Sequence, residues 1–304
     1  MKTLITGAFN YSEEQIERLN SIGCETVFVQ DEREKLDMDV SDIEAVICNG
    51  LFLYNDISKF KSLKFIQLTS AGFDRVPMDY INENKIEIHN AKGVYSAPMA
   101  EWVVLKILEI YKNTKFFIRN QDNKVWEKKR DLLELTDKVV AIVGCGNVGI
   151  EVAKRLKAFG CKTNGVARRQ VEYDYIDTVY SMQELDEALK VSDIVVLTIA
   201  LNEETKHLFD KDRFKVMKDD AVLVNVARGA IVNEEDLIEA LKNGKFLGVA
   251  LDVMESEPLC EESRLWEFDR VLVTPHNSFV SDRVGSRLFD LMCDNLNKFI
   301  AGKE

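Results

Sequence analysis

The segment KVVAIVGCGNVGIEVAKRLKAFG, residues 138–160, constrains the fold more than any other part of the chain. A short apolar run leads into three glycines with the spacing GxGxxG, and an amphipathic stretch continues to Gly160. The apolar run predicts a buried strand, and the stretch after it predicts a helix. Strand, tight turn and helix in this order begin a βαβ unit, so the segment predicts a parallel sheet.

Each glycine of this loop has a separate predicted purpose. Gly144 permits the tight turn, Gly146 lets the backbone approach a pyrophosphate, and Gly149 lets the helix lie against the strand. The helix N-terminus adds free N–H groups and the positive end of the helix dipole. The loop therefore predicts a dinucleotide site, and the alternative is a tight βα turn that binds no ligand.

Short apolar runs alternate with amphipathic stretches along most of the chain, which indicates an α/β protein. The length of 304 residues favours two domains. We predict a boundary near residue 95 and another near residue 276, with a last helix returning to the first domain. The predicted strands are 3–7, 26–30, 45–49, 64–69, 86–89, 138–144, 162–167, 193–199, 221–227, 246–252 and 271–275.

The helices are predicted over 12–23, 101–117, 233–244 and about 280–300. The last of these has apolar residues at helical spacing, namely Val284, Leu288, Leu291, Met292, Leu296 and Ile300. A polar segment, residues 119–129, follows the apolar helix. It is interpreted as either a connection or an oligomerisation arm.

Charge and cysteine usage narrow the class of function. The net charge of −12 argues against binding to nucleic acid or to an anionic membrane, although a locally positive pocket for an anionic substrate is compatible with it. The six cysteines are scattered, which favours free thiols in the cytoplasm. The N-terminal residues are predicted as a strand rather than a signal peptide, and no apolar run is long enough for a membrane span. The three histidines are too far apart in sequence to suggest a metal site.

The strand that follows the glycine loop and its helix ends in a sequence that departs from the pattern of an NAD site. An acidic residue is expected there to accept hydrogen bonds from the ribose hydroxyls. The sequence instead has Ala167 followed by Arg168 and Arg169. Guanidinium groups suit a phosphate, so the segment predicts a preference for NADP, with NAD possible. The alternative is a solvated basic loop beside loosely bound NAD.

Three later motifs carry a family resemblance: NVARGA at 225–230, LDVMESEP at 251–258 and TPHNS at 274–278. With the glycine loop, and more loosely the stretches 64–78 and 90–102, they resemble the D-isomer-specific 2-hydroxyacid dehydrogenases. The similarity is greatest to the glyoxylate/hydroxypyruvate reductase and phosphoglycerate dehydrogenase branches. It implies two doubly wound parallel-sheet domains. A Rossmann cofactor domain, 96–276, would be inserted into a flavodoxin-like substrate domain, 1–95, completed by the helix in 277–304.

The resemblance also implies the catalytic roles, which the chemistry of the side chains supports. His276 would donate a proton to the carbonyl oxygen of a 2-oxo acid. Glu257 would orient the imidazole and favour its protonated form, and Arg228 would hold the substrate carboxylate. Taken singly, each could be a structural or solvated residue. Their order in the chain, downstream of a nucleotide loop, favours the catalytic interpretation.

The resemblance implies further site residues. For the loop that contains Ala71 and Gly72, a general argument about anion binding by backbone amides supports the implied role as well. The amides of Ala71 and Gly72 would receive the substrate carboxylate, as short strand-to-helix loops bind other anions, although an ordinary turn remains the alternative. Met99 would lie near the nicotinamide, with core packing an equal alternative. Asp252 would meet the nicotinamide carboxamide. The remaining cofactor contacts would come from Asn147, Val148, Ala200, Thr205, Val226 and Ala227. Ala200 stands where many relatives have proline.

The sequence therefore predicts an NADPH-preferring reductase of small 2-oxo acids such as glyoxylate or hydroxypyruvate. One alternative is an NAD-linked D-3-phosphoglycerate dehydrogenase. Another is a nucleotide-sensing, corepressor-like binding protein. By resemblance the chain is expected to form a homodimer, and the apolar helix with its polar arm is a plausible interface.

Overall fold

Two parallel β-sheets organise the chain in the computed structural model, which describes residues 1–169 and 171–302. The strands are β1 (Lys2–Thr6), β2 (Glu25–Val29), β3 (Ala45–Cys48), β4 (Phe65–Leu68), β5 (Glu87–His89), β6 (Val139–Val143), β7 (Lys162–Val166), β8 (Thr178–Tyr180), β9 (Ile194–Leu197), β10 (Ala221–Asn225), β11 (Phe246–Leu251) and β12 (Val271–Val273). Every pairing between these strands is parallel, which confirms the predicted fold class.

Helices connect the strands. They are α1 (Glu13–Ser21), α2 (Leu51–Tyr54), α3 (Met78–Glu83), α4 (Ser96–Tyr111), α5 (Thr114–Asp122), α6 (Asn147–Ala158), α7 (Leu185–Val191), α8 (Lys211–Val216), α9 (Glu234–Lys242) and α10 (Val284–Ala301). Short 3-10 helices span Ile57–Lys59, Met182–Glu184, Gly229–Ile231 and Arg264–Glu267.

The chain divides into two compact units. One comprises Met1–Tyr95 and the chain from Ser281 onward, and the other is Ser96–Val280. The sequence-based boundary at residue 276 therefore differs by a few residues from the end of the second unit.

The first unit has the strand order β2-β1-β3-β4-β5, the doubly wound order of flavodoxin-like sheets. Alternate residues of a strand point to opposite faces, so Leu4 belongs to one buried cluster and Ile5 to the other. The second of these clusters includes Leu288, Met292 and Leu296 of α10. The apolar spacing of the last helix therefore covers one face of this sheet.

The second unit has the strand order β12-β11-β10-β9-β6-β7-β8. Its topology reverses between β6 and β9, and a parallel sheet binds ligands outside the carboxyl ends of the strands at such a point. Val140 and Ile142 of β6 face one buried cluster, while Ala141 and Val143 face the other. Because both faces are covered, these strands read as nearly continuous apolar runs in the sequence.

The prediction of one helix over 101–117 is wrong. Helix α4 begins at Ser96 and ends at Tyr111, and α5 begins at Thr114. Between them Asn113 adopts a left-handed conformation with φ of 50°, which asparagine tolerates better than most residues. Residues 112–115 are all polar but span only about one helical turn, so the sequence is compatible with one continuous helix and did not reveal the break. Helix α5 also takes up the first part of the polar segment, as far as Asp122.

Candidate active site

The glycine loop between β6 and α6 shows three different backbone environments. Gly144 has φ of +107°, and a Cβ there would lie 2.7 Å from the amide nitrogen of Ile199. A Cβ on Gly149 would lie 2.2 Å from the carbonyl oxygen of Gly144. Around Gly146, by contrast, no atom lies within 4 Å of a Cβ position. Two glycines thus permit close packing of the protein on itself, and the middle one leaves open space in front of the loop.

The start of α6 offers hydrogen-bond donors to that space. The helix begins at Asn147, and its N-cap residue, Gly146, provides no side-chain cap. The first N–H groups of a helix have no partner within the helix, so they and the dipole attract an anion. Val148 in the same first turn is half-buried against the apolar cluster that also contacts Met99. The open glycine and the uncapped helix together fit the pyrophosphate of a dinucleotide.

Cys145 is the one titratable residue inside the glycine loop. Its thiol is half-buried, and burial raises its pKa to about 11. The thiol is therefore neutral at physiological pH. It adds no negative charge that would repel a phosphate at this helix N-terminus.

A cavity of about 200 Å³ lies beside the end of β7. It is lined by Arg168, Met182, Gln183, Ile199, Ala200, Asn202, Glu204, Thr205 and Leu208. Arg168 and Arg169 are exposed, whereas Ala167 is buried and donates its N–H to the carbonyl oxygen of Tyr180 at 3.0 Å. Three residues predicted from distant parts of the sequence, Arg168, Ala200 and Thr205, thus line one cavity.

Thr205 shapes one wall of this cavity. Its hydroxyl donates to the carbonyl oxygen of Ala200 at 2.8 Å and accepts the N–H of Asn202 at 2.8 Å. Asn202 in turn accepts the N–H of Thr205 through its side chain. Hydrogen bonds among its own polar residues therefore fix the conformation of the loop after β9. Met182, Gln183 and Asn202 were not predicted as site residues, because no sequence pattern links them to the glycine loop.

Arg228 stands on the loop after β10, and a buried asparagine fixes that loop. The side chain of Asn225, the last residue of β10, accepts the N–H of Ala227 and donates to the carbonyl oxygen of Arg228, each at 3.0 Å. Val226 and Ala227 are buried. The half-buried Arg228 donates from Nη1 to the carbonyl oxygen of Ala227 at 2.8 Å. Asn225 was missed in the sequence, although a polar residue ending an apolar strand is a usable signal.

Asp252, at the end of β11, holds the segment that contains the histidine. Its carboxylate is 1% exposed. It accepts the hydroxyl of Thr274 at 2.5 Å and the N–H groups of Asn277 and Ser278 at 2.8 and 2.9 Å. Three donors around one buried carboxylate satisfy its charge and orient the turn that they come from. These contacts give Asp252 a structural purpose besides the predicted one at the nicotinamide.

His276 and Glu257 form the pair predicted from the sequence. The Nδ1 atom of His276 lies 2.9 Å from Oε2 of Glu257. The other carboxylate oxygen, Oε1, accepts the N–H of Met254 at 3.1 Å, which orients the carboxylate. The backbone of His276 has φ of 51°, and the backbone N–H donates to the carbonyl oxygen of Asp252 at 2.8 Å. With Nδ1 occupied by Glu257, Nε2 is the ring nitrogen left to exchange a proton with a ligand.

The loop after β4 in the first unit contains Ala71 and Gly72. The carbonyl oxygen of Ser70 accepts the N–H of Ala91 at 2.8 Å, and that of Ala71 accepts Nδ2 of Asn90 at 2.6 Å. In a trans peptide the C=O and the following N–H point in opposite directions. The N–H groups of Ala71 and Gly72 therefore point away from residues 90 and 91. Such a pair of adjacent amides can bind a carboxylate.

Comparison with known proteins gives consistent matches. The family model for the NAD binding domain of D-isomer specific 2-hydroxyacid dehydrogenase matches residues 104–278. A glyoxylate reductase of Thermofilum pendens is 32% identical over 286 residues, which cover 89% of this chain and 82% of that protein. A D-3-phosphoglycerate dehydrogenase of Methanocaldococcus jannaschii is 28% identical over 310 residues, and the match spans 100% of this chain but 58% of that protein.

A solved structure has the same architecture over the full length. The crystal structure of a glyoxylate reductase from Paecilomyes thermophila superposes with a TM-score of 0.86 at 26% sequence identity. The superposition covers 100% of this chain and 96% of that one.

Proposed function

This chain belongs to the D-isomer specific 2-hydroxyacid dehydrogenase family, and from that premise we propose that it reduces a small 2-oxo acid of the glyoxylate or hydroxypyruvate type to the D-2-hydroxy acid, with NADPH as the preferred hydride donor. The observation that carries the proposal is the pair of His276 and Glu257, joined at 2.9 Å, at the sheet edge where Arg228 also stands. The pair supplies a proton donor and the arginine supplies an anchor for a carboxylate.

The chemistry divides between cofactor and side chains. A bound nicotinamide supplies the hydride for the carbonyl carbon of the substrate. His276 gives the proton on Nε2 to the carbonyl oxygen, while Glu257 holds Nδ1 and stabilises the cationic ring before transfer. Arg228 binds the substrate carboxylate and polarises the carbonyl group through charge-assisted hydrogen bonds. In the oxidative direction, the neutral imidazole takes the hydroxyl proton back.

The preference for NADPH is supported by the cavity at the end of β7. Arg168 lines it, so its guanidinium group can meet a 2′-phosphate, and the exposed Arg169 that follows would add a second positive charge nearby. Ala167 stands at the position where an acidic side chain would bind the ribose hydroxyls of NAD. Glu204 also lines the cavity, so the arginines must outweigh one carboxylate for the phosphate to bind.

The other predicted contacts extend this proposal. Gly144, Gly146 and Gly149, with Asn147 and Val148, would receive the pyrophosphate, and Ala200, Thr205, Val226 and Ala227 would line the nucleotide. Asp252 and the half-buried Met99 would lie near the nicotinamide. The outward amides of Ala71 and Gly72 would bind the substrate carboxylate.

Assembly and location are also proposals. A homodimer is supported by apolar side chains exposed on and after α4 and α5, including Leu105, Ile118 and Trp126, the last of which is 97% exposed. The cytoplasm is supported by six cysteines that are all free. Among the residues that the structure describes, no helix is both long and apolar enough to cross a bilayer.

A panel of 2-oxo acids assayed with NADPH and with NADH tests the proposal. Glyoxylate and hydroxypyruvate should be reduced with a higher kcat/KM for NADPH. Turnover confined to 3-phosphohydroxypyruvate with NADH would instead support the phosphoglycerate dehydrogenase alternative. The variant His276→Ala should lose most of its turnover but bind NADPH normally. Tight nucleotide binding without turnover on any 2-oxo acid would favour a sensor.

A further inference from the structure

Arg228 and Glu257 stand on two different loops. The first loop follows β10 and the second follows β11, and these strands are parallel neighbours, so both loops leave the same edge of the sheet. The sheet alone does not fix the separation of the two loops beyond that edge. Direct contacts between the loops must set it.

A reciprocal pair of hydrogen bonds connects the second loop to the start of α9, the helix that follows the first loop. The N–H of Glu234 donates to Oε1 of Glu255 at 2.8 Å, and the N–H of Glu255 donates to Oε1 of Glu234 at 2.6 Å. We call this pair the carboxylate clasp. Glu234 is the first residue of α9, so the carboxylate of Glu255 also satisfies an N–H at a helix start.

Close packing and a third segment reinforce the clasp. A Cβ on Gly229 would lie 1.9 Å from the carbonyl carbon of Met254, so the two loops touch through their backbones. On the other side, the N–H of His207 donates to the carbonyl oxygen of Ala230 at 2.7 Å. The Nε2 atom of His207 also lies 3.2 Å from Oε2 of Glu255, without hydrogen-bond geometry. The loop that carries Arg228 is therefore held from two directions.

The clasp brings two like charges together. Burial raises the pKa of Glu234, and the neighbouring carboxylate of Glu255 raises it further, against the lowering effect of the backbone hydrogen bond from Glu255. Repulsion between two carboxylates opposes stability. The two backbone hydrogen bonds offset this repulsion and hold the two segments in one arrangement.

We infer that the carboxylate clasp sets the position of Arg228 relative to Glu257 and His276, which makes Glu234 and Glu255 positioning residues for substrate capture. The inference rests on the proposed reduction of a 2-oxo acid. Without the clasp the substrate carboxylate and the carbonyl oxygen no longer meet their partners at the same time. The pyrophosphate and the 2′-phosphate would be held by the loops after β6 and β7, which the clasp does not touch, so the affinity for the nucleotide stays close to that of the wild type.

The variants Glu234→Ala, Glu255→Ala and the double variant test this inference on the full chain. Each alanine variant should raise the KM for glyoxylate by roughly tenfold, with a smaller change in kcat and a much smaller change in the Kd for NADPH. The double variant should resemble either single one, because both alanines break the same ring of hydrogen bonds. Glu234→Gln keeps an acceptor oxygen and should restore the KM.

Glu235→Ala is the matched control, since Glu235 is exposed in the same helical turn. It should leave the KM unchanged. The inference is overturned if Glu234→Ala behaves like this control, if the two alanine effects add, or if the glutamine variant is as impaired as the alanine variant. A parallel fall in melting temperature, NADPH affinity and kcat would indicate general destabilisation and would also overturn it.

Hydrogen–deuterium exchange of the nucleotide-free protein separates this inference from the proposed function. Backbone amides in 226–233 and 252–258 should exchange faster in Glu234→Ala than in Glu235→Ala. If the wild-type protein reduces no 2-oxo acid, the proposed function fails, and the exchange data still test the clasp. Equal exchange in the two variants would overturn the clasp whatever the activity.

Discussion

The tripeptide Val-Ala-Arg follows two strands of the same sheet, and its two arginines lie in different surroundings. In the first copy Val166 is still the last residue of β7, and Arg168 is exposed beside a cavity. In the second copy β10 has already ended at Asn225, and the half-buried Arg228 stands on a loop fixed by that asparagine. Identical local sequence therefore gives a surface cation in one place and a restrained cation in the other.

The difference comes from what packs behind each arginine. The loop of Arg228 touches the loop after β11 at Gly229 and is joined to it by the carboxylate clasp. At the end of β7, Val166 accepts the N–H of Gly144 and Ala167 donates its N–H to Tyr180, and the two arginines that follow are exposed. A restrained guanidinium suits a substrate carboxylate that must be held in a fixed position beside the reacting carbonyl group. An exposed one suits a phosphate at the far end of a long cofactor.

The largest expected effect is that of Arg228→Ala. If Arg228 binds the substrate carboxylate and polarises the carbonyl as proposed, its loss should lower kcat/KM for glyoxylate by on the order of 10³-fold. The Kd for NADPH should not change, which fluorescence titration can measure. An equal loss of nucleotide affinity would show that the two arginines do not have separate purposes.

Arg168→Ala should impair the use of NADPH instead of the binding of the substrate, and by a smaller factor than Arg228→Ala. Removal of the proposed charge-assisted contact with the 2′-phosphate should lower kcat/KM for NADPH by roughly 10- to 100-fold. The value for NADH should change little, because NADH has no such phosphate. Steady-state kinetics with both cofactors measure this ratio. Equal losses for NADPH and NADH would contradict the assignment of Arg168.

Substitutions in the glycine loop sharpen the contrast between open and packed backbone. Gly146→Ala should leave the melting temperature unchanged, since nothing lies within 4 Å of the new Cβ, yet it should weaken NADPH binding by about tenfold. Gly149→Ala places its Cβ 2.2 Å from a backbone oxygen and should destabilise the fold by about 1–3 kcal/mol. Thermal melting with and without NADPH distinguishes the two. Similar melting curves for both variants would refute this distinction.

The smallest expected effect concerns how β7 is anchored at its start. A hydrogen bond from Lys157 holds the pKa of Asp177 below its usual range, and the N–H of Thr163 adds to this. The carboxylate therefore stabilises the fold above the pKa of an unfolded aspartate, and this contribution is lost as the pH falls through the lower folded value.

Asp177→Asn should accordingly cost less than about 1 kcal/mol at pH 7, because the ion pair is largely exposed. The difference from wild type should disappear in strong acid. Urea unfolding at pH 7 and at low pH measures it. A difference that is independent of pH would point to packing instead of charge.

Much of the architecture was readable from the sequence because its determinants are local. The glycine loop and the apolar runs predicted a parallel sheet with a nucleotide-binding turn, and the later motifs pointed to Arg228, Glu257 and His276. The break at Asn113 was missed because apolar residues resume at Phe116 after only four polar ones, which a continuous helix also accommodates. The short strand β8 was missed because it lies in a largely polar stretch that shows no apolar run.

The sequence by itself determined the family, the alternation of strands and helices, and which residue types could perform the reaction. These depend on neighbours in the chain, through strand periodicity, glycine conformation and motif spacing. Only the tertiary structure decided that Asp252 orients the histidine segment, that Thr205 and Arg168 line one cavity, and that Glu234 meets Glu255. The residues of each group lie more than 20 positions apart, and only the folded sheet brings them into one hydrogen-bonded cluster or one cavity.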